Sequence, residues 1–176
     1  IIGSVYLTTG GNFKYSYLEN KGTILNDETP EGSSGYTGGV IGSINYKGNN
    51  TSNVTVSYVI NDANVTSNAA PNTGGVIGSW GRSADKVQSA GTMTYVVNNN
   101  TSGTAKVKGV SCVGGVIGLL DNKDVTYIVG YNMADVTGTG DSVGGIVGDL
   151  KTGSIKAGND SINNSGKITG VNNVGG

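Results

Sequence analysis

Apolar residues in this chain never run more than a few in succession, and they recur in three kinds of short segment that keep one order. A β-branched and aromatic run comes first, at 14–18, 54–60, 93–97, 125–129 and, less regularly, 154–157. Residue type and alternation make it a strand. An Asn-rich corner follows, at Asn20, Asn61, 98–100, Asn132, and Asn163 with Asn164. Then comes a run with one aliphatic between polar neighbours, at 23–24, 65–66, 106–108, 135–137 and 167–169. Period-two alternation turns that aliphatic inward and its Lys, Asp or Thr neighbours outward. The third segment is Gly-Gly-Val-Ile-Gly, at 38–42, 74–78 and 114–118, with the aliphatic pair reversed at 144–148. Each repeat thus predicts three short strands and three corners. No segment sustains the three-and-four apolar spacing of a helix, and almost no helix is expected.

The Gly-Gly pairs begin at 38, 74, 114, 144 and 175, at intervals of 36, 40, 30 and 31 residues. The units are 1–37, 38–73, 74–113, 114–143 and 144–176, within one domain. The chain opens on Ile1-Ile2-Gly3 and closes on Val174-Gly175-Gly176, the back and front halves of the motif, which predicts an excerpt of a longer array. A propeller blade needs four strands and typically about 40 residues, more than the shorter units supply. A solenoid pairs each strand in parallel with its equivalent one coil away, at about 4.8 Å, and lets insertions bulge from corners. The expected fold is all-β, a right-handed parallel β-solenoid of about five three-stranded coils. Val and Ile would stack in interior columns, equivalent Asn residues would form amide ladders, and the Gly-Gly pair would permit close approaches or unusual dihedrals. One coil alone fails: its few aliphatics contribute about 10 kcal/mol on burial, and ordering about 30 residues costs several times that.

With its strand, Asn corner and a close such as 164–170 before the next Gly-Gly, the motif resembles the GLUG repeat of bacterial surface and secreted proteins. Val or Ile replaces the Leu of that family's core, and the match is best over 114–176. The resemblance implies an extracellular bacterial repeat region of the kind found in adhesin stalks, haemagglutinin-like proteins and accessory parts of large secreted peptidases. It implies no substrate.

Charge and composition narrow the chemistry. Eleven Lys and Arg against 12 Asp and Glu leave no basic face for nucleic acid. The apolar runs are too short for a transmembrane helix, which needs about 20 residues. The chain contains no His, so Ser-His-Asp, Cys-His and His-zinc sites are impossible within it. Cys112 is alone and is expected as a buried small apolar residue. The nearest carboxylate pairs, Asp121 with Asp124 and Glu28 with Glu31, are expected as solvated loop residues. Calcium would fall to Asp141 and Asp149, but Ser43, Ser79 and Leu119 hold the place of Asp149 in the other units. A phosphate loop fails because Ser, Leu or Asp follows the motif where Lys is required. Asn-x-Ser/Thr triplets at Asn49, Asn50, Asn53, Asn64, Asn99, Asn100, Asn159 and Asn163 are expected as polar corners. No catalytic, cofactor-binding or metal-binding residue is assigned.

Aromatic residues are the remaining candidates. Tyr36, Tyr46, Trp80 and Tyr131 are candidates for a carbohydrate platform, with Trp80 at the start of a loop. Tyr58, Tyr95 and Tyr127 are expected to form one structural column. The function expected is a non-enzymatic stalk or spacer of a secreted or cell-surface bacterial adhesin-like protein, partnered by neighbouring repeats or by copies of itself end to end. The excerpt alone is expected to be unstable or to self-associate. The alternatives are a self-assembling extracellular filament subunit, whose end half-motifs complete each other between copies, and a carbohydrate-binding β-helix module, with host or surface glycans reached through a tip outside this sequence or through the Trp80 region.

Overall fold

The computed structural model describes residues 1–8, 10–27, 35–47, 51–81, 90–158 and 161–176, with the backbone alone at 123. Among these residues there is no helix, and every strand pairing is parallel. The strands form a ten-stranded sheet and two five-stranded sheets. One narrow sheet stacks Ile24–Asn26, Val65–Ser67, Lys106–Gly109, Asp135–Gly138 and Ile168–Thr169. The other stacks Tyr36–Gly38, Asn72–Gly74, Val113–Gly114, Asp141–Gly144 and Asn172–Gly175. These are the lone-aliphatic runs and the approaches to the Gly-Gly pairs. The architecture is a parallel β-helix of the solenoid kind.

The wide sheet departs from three strands per repeat. Early in the chain it is entered twice, by Ile2–Leu7 and Asn12–Asn20, by Ile41–Tyr46 and Asn53–Asn61, and by Ile77–Trp80 and Ala90–Asn98. Later, the 11-residue strands Ile117–Tyr127 and Val147–Ala157 cross it unbroken, continued by Gly130–Asn132 and Ile162–Asn164. Unequal repeat lengths follow from this, because the extra residues of the longer units include those that join the two passes.

Register converts the sequence pattern into interior columns. Ile41 lies between Ile2 and Ile77, and the column continues through Ile117 to Val147. Val65, Val107 and Val136 form another, flanked by Ile24 and Ile168. A large cluster under the wide sheet includes Ile44, Val56, Trp80, Met93 and Tyr127, and a small one joins Val107, Val113, Val136 and Val143.

One buried column is polar. Asn20 Nδ2 donates to Asn61 Oδ1 at 2.8 Å, Asn61 to Asn98 at 2.9 Å, Asn98 to Asn132 at 2.8 Å and Asn132 to Asn164 at 2.7 Å. The same amide nitrogen also turns its own corner: Asn61 donates to the Ala63 carbonyl and Asn132 to that of Ala134, both at 2.8 Å. A primary amide has two donors and one strong acceptor, so the geometry satisfies the stack and the corner together.

This column helps to explain the second glycine of each pair, and a close backbone approach explains the first. A Cβ on Gly75 would lie 2.1 Å from the Gly115 carbonyl oxygen and 2.5 Å from Asn98 Cγ. One on Gly74 would lie 1.9 Å from the Ile77 carbonyl oxygen. Neither residue has a positive φ, so close approach, and not a left-handed backbone, demands glycine here.

Candidate functional site

The exposed chemistry of the molecule gathers on the outer side of the wide sheet. Three residues before Asn20, Asn61 and Asn98 stand Tyr17, Tyr58 and Tyr95, with φ of 58°, 53° and 56°. A left-handed conformation costs an L-residue about 1–2 kcal/mol. Here it breaks the alternation. Val56 and Val59 both face the core, and two residues, the buried Ser57 and the exposed Tyr58, stand between them where strict alternation would put one. Each tyrosine is thereby pushed into solvent, at 78%, 48% and 39% exposure. The Tyr17 and Tyr58 rings stack with centroids 5.2 Å apart and planes 3° from parallel; Tyr58 and Tyr95 are 5.7 Å apart and tilted by 34°.

Tyr127 does not belong to this column, contrary to the expectation. It pairs opposite Met93, and Val96 lies opposite Gly130, so Val129 holds the place after Tyr95. The Tyr127 ring is fully buried, and its hydroxyl donates to the Val96 carbonyl at 2.5 Å. A Cβ on Gly130 would lie 1.9 Å from Tyr127 Cζ, so the glycine leaves the space that the ring fills. Burial pushes the phenol pKa upward. Counting back from the corner asparagine finds the true column: Tyr17, Tyr58 and Tyr95 precede theirs by three residues, Tyr127 by five.

Trp80 ends the strand Ile77–Trp80 and is fully buried, stacked between Ile44 and Leu120. Its Nε1 donates to Tyr46 Oη at 2.8 Å, and its ring passes close to Gly91, where a Cβ would meet Cζ2 at 2.8 Å. Tyr46 is buried too, and desolvation raises its phenol to about 12, with the Trp80 hydrogen bond pulling the other way. Neither ring offers a face to a sugar, which corrects the expectation of a platform at these two residues. Tyr36 and Tyr131 are half-buried.

Asp121 and Asp124 lie in a strand, Ile117–Tyr127, and not in a loop, at a shift of register against its neighbour. Asp121 accepts from Thr152 Oγ1 at 2.8 Å; Asp124 accepts from Ser154 Oγ at 2.7 Å, with Lys156 Nζ at 3.7 Å. Asp141 accepts from Asn172 at 2.8 Å. Cys112 is half-buried, short of the full burial expected, with Sγ 3.8 Å from Asp149 Oδ2. Burial and then the Asp149 charge push its thiol pKa upward, against the pull of Lys151, and so away from the reactive thiolate. Among the described residues, no three acidic, His or Cys side chains converge as a metal site would need. Glu28, Glu31, Asn49, Asn50 and Asn159 lie outside the described residues. Asn53, Asn64 and Asn163 are exposed, whereas Asn99 and Asn100 are half-buried. No described helix is long and apolar enough to cross a membrane.

No family model matches the chain, and no curated protein matches it. Among solved structures, it is similar to the crystal structure of a putative immunoglobulin A1 protease from Bacteroides ovatus, with a TM-score of 0.52 and 18% identity. The likeness covers 99% of this chain and 53% of the other, so the chain spans about half of that protein's length. At this identity the similarity shows the fold alone.

Proposed function

We propose that the chain is a non-enzymatic stalk or spacer, a right-handed parallel β-solenoid of about five coils, from a secreted or cell-surface bacterial protein with GLUG-like repeats. The single observation that supports it most is the unbroken asparagine column from Asn20 to Asn164, a hydrogen-bonded spine parallel to the direction of stacking. A spine of this kind, with ladders on three sides, gives length and stiffness. A non-enzymatic role is supported by the lack of any histidine and by carboxylates engaged with Thr, Ser and Asn.

Insertion of a second copy of residues 114–143 after position 143 tests this. The spacer function predicts a rod longer by about one strand spacing, ~4.8 Å, with undiminished stability, seen by small-angle scattering and urea denaturation. A more compact particle, or one that unfolds at lower urea, contradicts it. A carbohydrate-binding module is the second function, favoured by the exposed tyrosines at 17, 58 and 95 rather than by Trp80. Glycan-array binding that is lost in Tyr58→Ala would establish it in place of the spacer.

A further inference from the structure

The exposed tyrosine column sits on left-handed backbone, as does a second aligned set, Cys112, Ser142 and Asn173, but only in the first is the side chain the same each time. Glycine or asparagine adopts a left-handed bend at less cost, yet tyrosine occupies it three times in register. Strain repeated at aligned, solvent-facing positions points to a use of the side chain itself.

We infer that Tyr17 and Tyr58 form an oxidative cross-linking site, in which a one-electron oxidant of the peroxidase-and-peroxide class joins two repeats by a carbon–carbon bond between the rings. The pairing is set by the sheet. Ser16 opposite Ser57 and Leu18 opposite Val59 hold the two tyrosines side by side, 41 residues apart in sequence. Both rings are open to a diffusing oxidant, and they are stacked at 5.2 Å before any reaction begins. Exposed rings turn about χ1 and χ2 without displacing packed neighbours, which lets their edges meet.

The chemistry balances. Each phenol gives up one electron and its hydroxyl proton to become a phenoxyl radical, and one hydrogen peroxide accepts two electrons and two protons to become two waters. The radicals couple through the ring carbons ortho to oxygen. Each of those carbons then releases its hydrogen as a proton, and each oxygen regains one, so the product keeps both hydroxyls and has lost two hydrogen atoms overall. Held neighbours couple faster than free ones, because no encounter between molecules is needed. Tyr95, at 5.7 Å and tilted by 34°, is a second coupling partner for Tyr58. Tyr127 is sealed in the core and Tyr46 is buried, so neither competes.

The test is treatment of the whole chain with a haem peroxidase and hydrogen peroxide across a range of dilutions. The expected product is a monomer lighter by two hydrogen atoms, with dityrosine fluorescence, whose yield does not change on dilution. Digestion and fragment sequencing should place the bond between Tyr17 and Tyr58. Tyr58→Phe, which keeps the ring and the bend, should abolish the internal link; Tyr17→Phe should move it to Tyr58 and Tyr95. Circular dichroism checks that both variants keep the β spectrum. The inference is overturned if Tyr58→Phe leaves the yield intact, if the bond maps to Tyr6 or Tyr131, or if coupling gives only dimers whose share grows with concentration.

Discussion

Two columns run side by side through the same strands, three residues apart, and they obey opposite rules. The asparagine column at 20, 61, 98, 132 and 164 is largely buried, satisfied at each step by amide hydrogen bonds, and continues through all five corner asparagines. The tyrosine column at 17, 58 and 95 is exposed, stands on left-handed backbone, and ends where Val129 takes its place. In the first column the fold dictates the residue, because an amide alone turns the corner and links to the next repeat. In the second the fold tolerates the residue, and Val129 shows that the stack survives without it. A repeated side chain is therefore structural or not according to what its absence would leave unsatisfied.

The sharpest way to break the first column is Asn98→Leu. It removes the acceptor that Asn61 Nδ2 has in the stack and the donor that Asn132 Oδ1 has there, both fully buried, and leaves them the Ala63 carbonyl and, at 3.3 Å, the Ala134 N–H. At about 1.5 kcal/mol for each of the two buried hydrogen bonds lost, the loss of stability should be about 3 kcal/mol in urea denaturation. Gly75→Ala attacks the same column from outside, since its Cβ would strike the Gly115 carbonyl and the Asn98 side chain. Overpacking of this kind costs about 3 kcal/mol, and the variant should lose stability by the same assay.

Titration of the buried aromatics comes next. The Tyr46 phenol titrates at about 12 in the folded chain against an ordinary value of 10.0, so the folded state holds its proton where the unfolded state has released it. Stability is then intact below pH 10 and is lost as pH rises from 10 to 12. Tyr46→Phe should reduce that fall without abolishing it in a pH series of denaturation midpoints, because the buried Tyr127 phenol is raised as well. The smallest effect belongs to the exposed column. Tyr58→Gly gives up ring stacking worth about 1 kcal/mol and relieves left-handed strain of about 1 kcal/mol, leaving stability within ~1 kcal/mol of the parent. A loss approaching that of Asn98→Leu would erase the distinction between the columns.

Much of the fold is legible in the sequence because the columns are written one residue per repeat. The lone aliphatics at Val65, Val107 and Val136, the corner asparagines and the Gly-Gly pairs all appear at fixed order, and stacking acts on order rather than on spacing. What escapes the pattern is compensation between columns. Trp80 lies under the wide sheet because Gly91 leaves room beside it, and Tyr127 is inside because Gly130 does. Each depends on a small residue elsewhere in the chain, which neither periodicity nor residue type reveals. The double entry into the wide sheet is hidden for a related reason: the sequence between passes carries the same Gly, Asn and Ser as the corners, so composition does not separate a corner from an interruption.

The most direct measurement is side-chain amide hydrogen exchange by NMR, residue by residue, on the intact chain. The buried column predicts that the Nδ2 protons of Asn61, Asn98 and Asn132 exchange as slowly as backbone amides of the core strands, while those of exposed Asn163 exchange at the rate of free amide. Fast exchange at all of these asparagines would mean that they are not stacked in one hydrogen-bonded line.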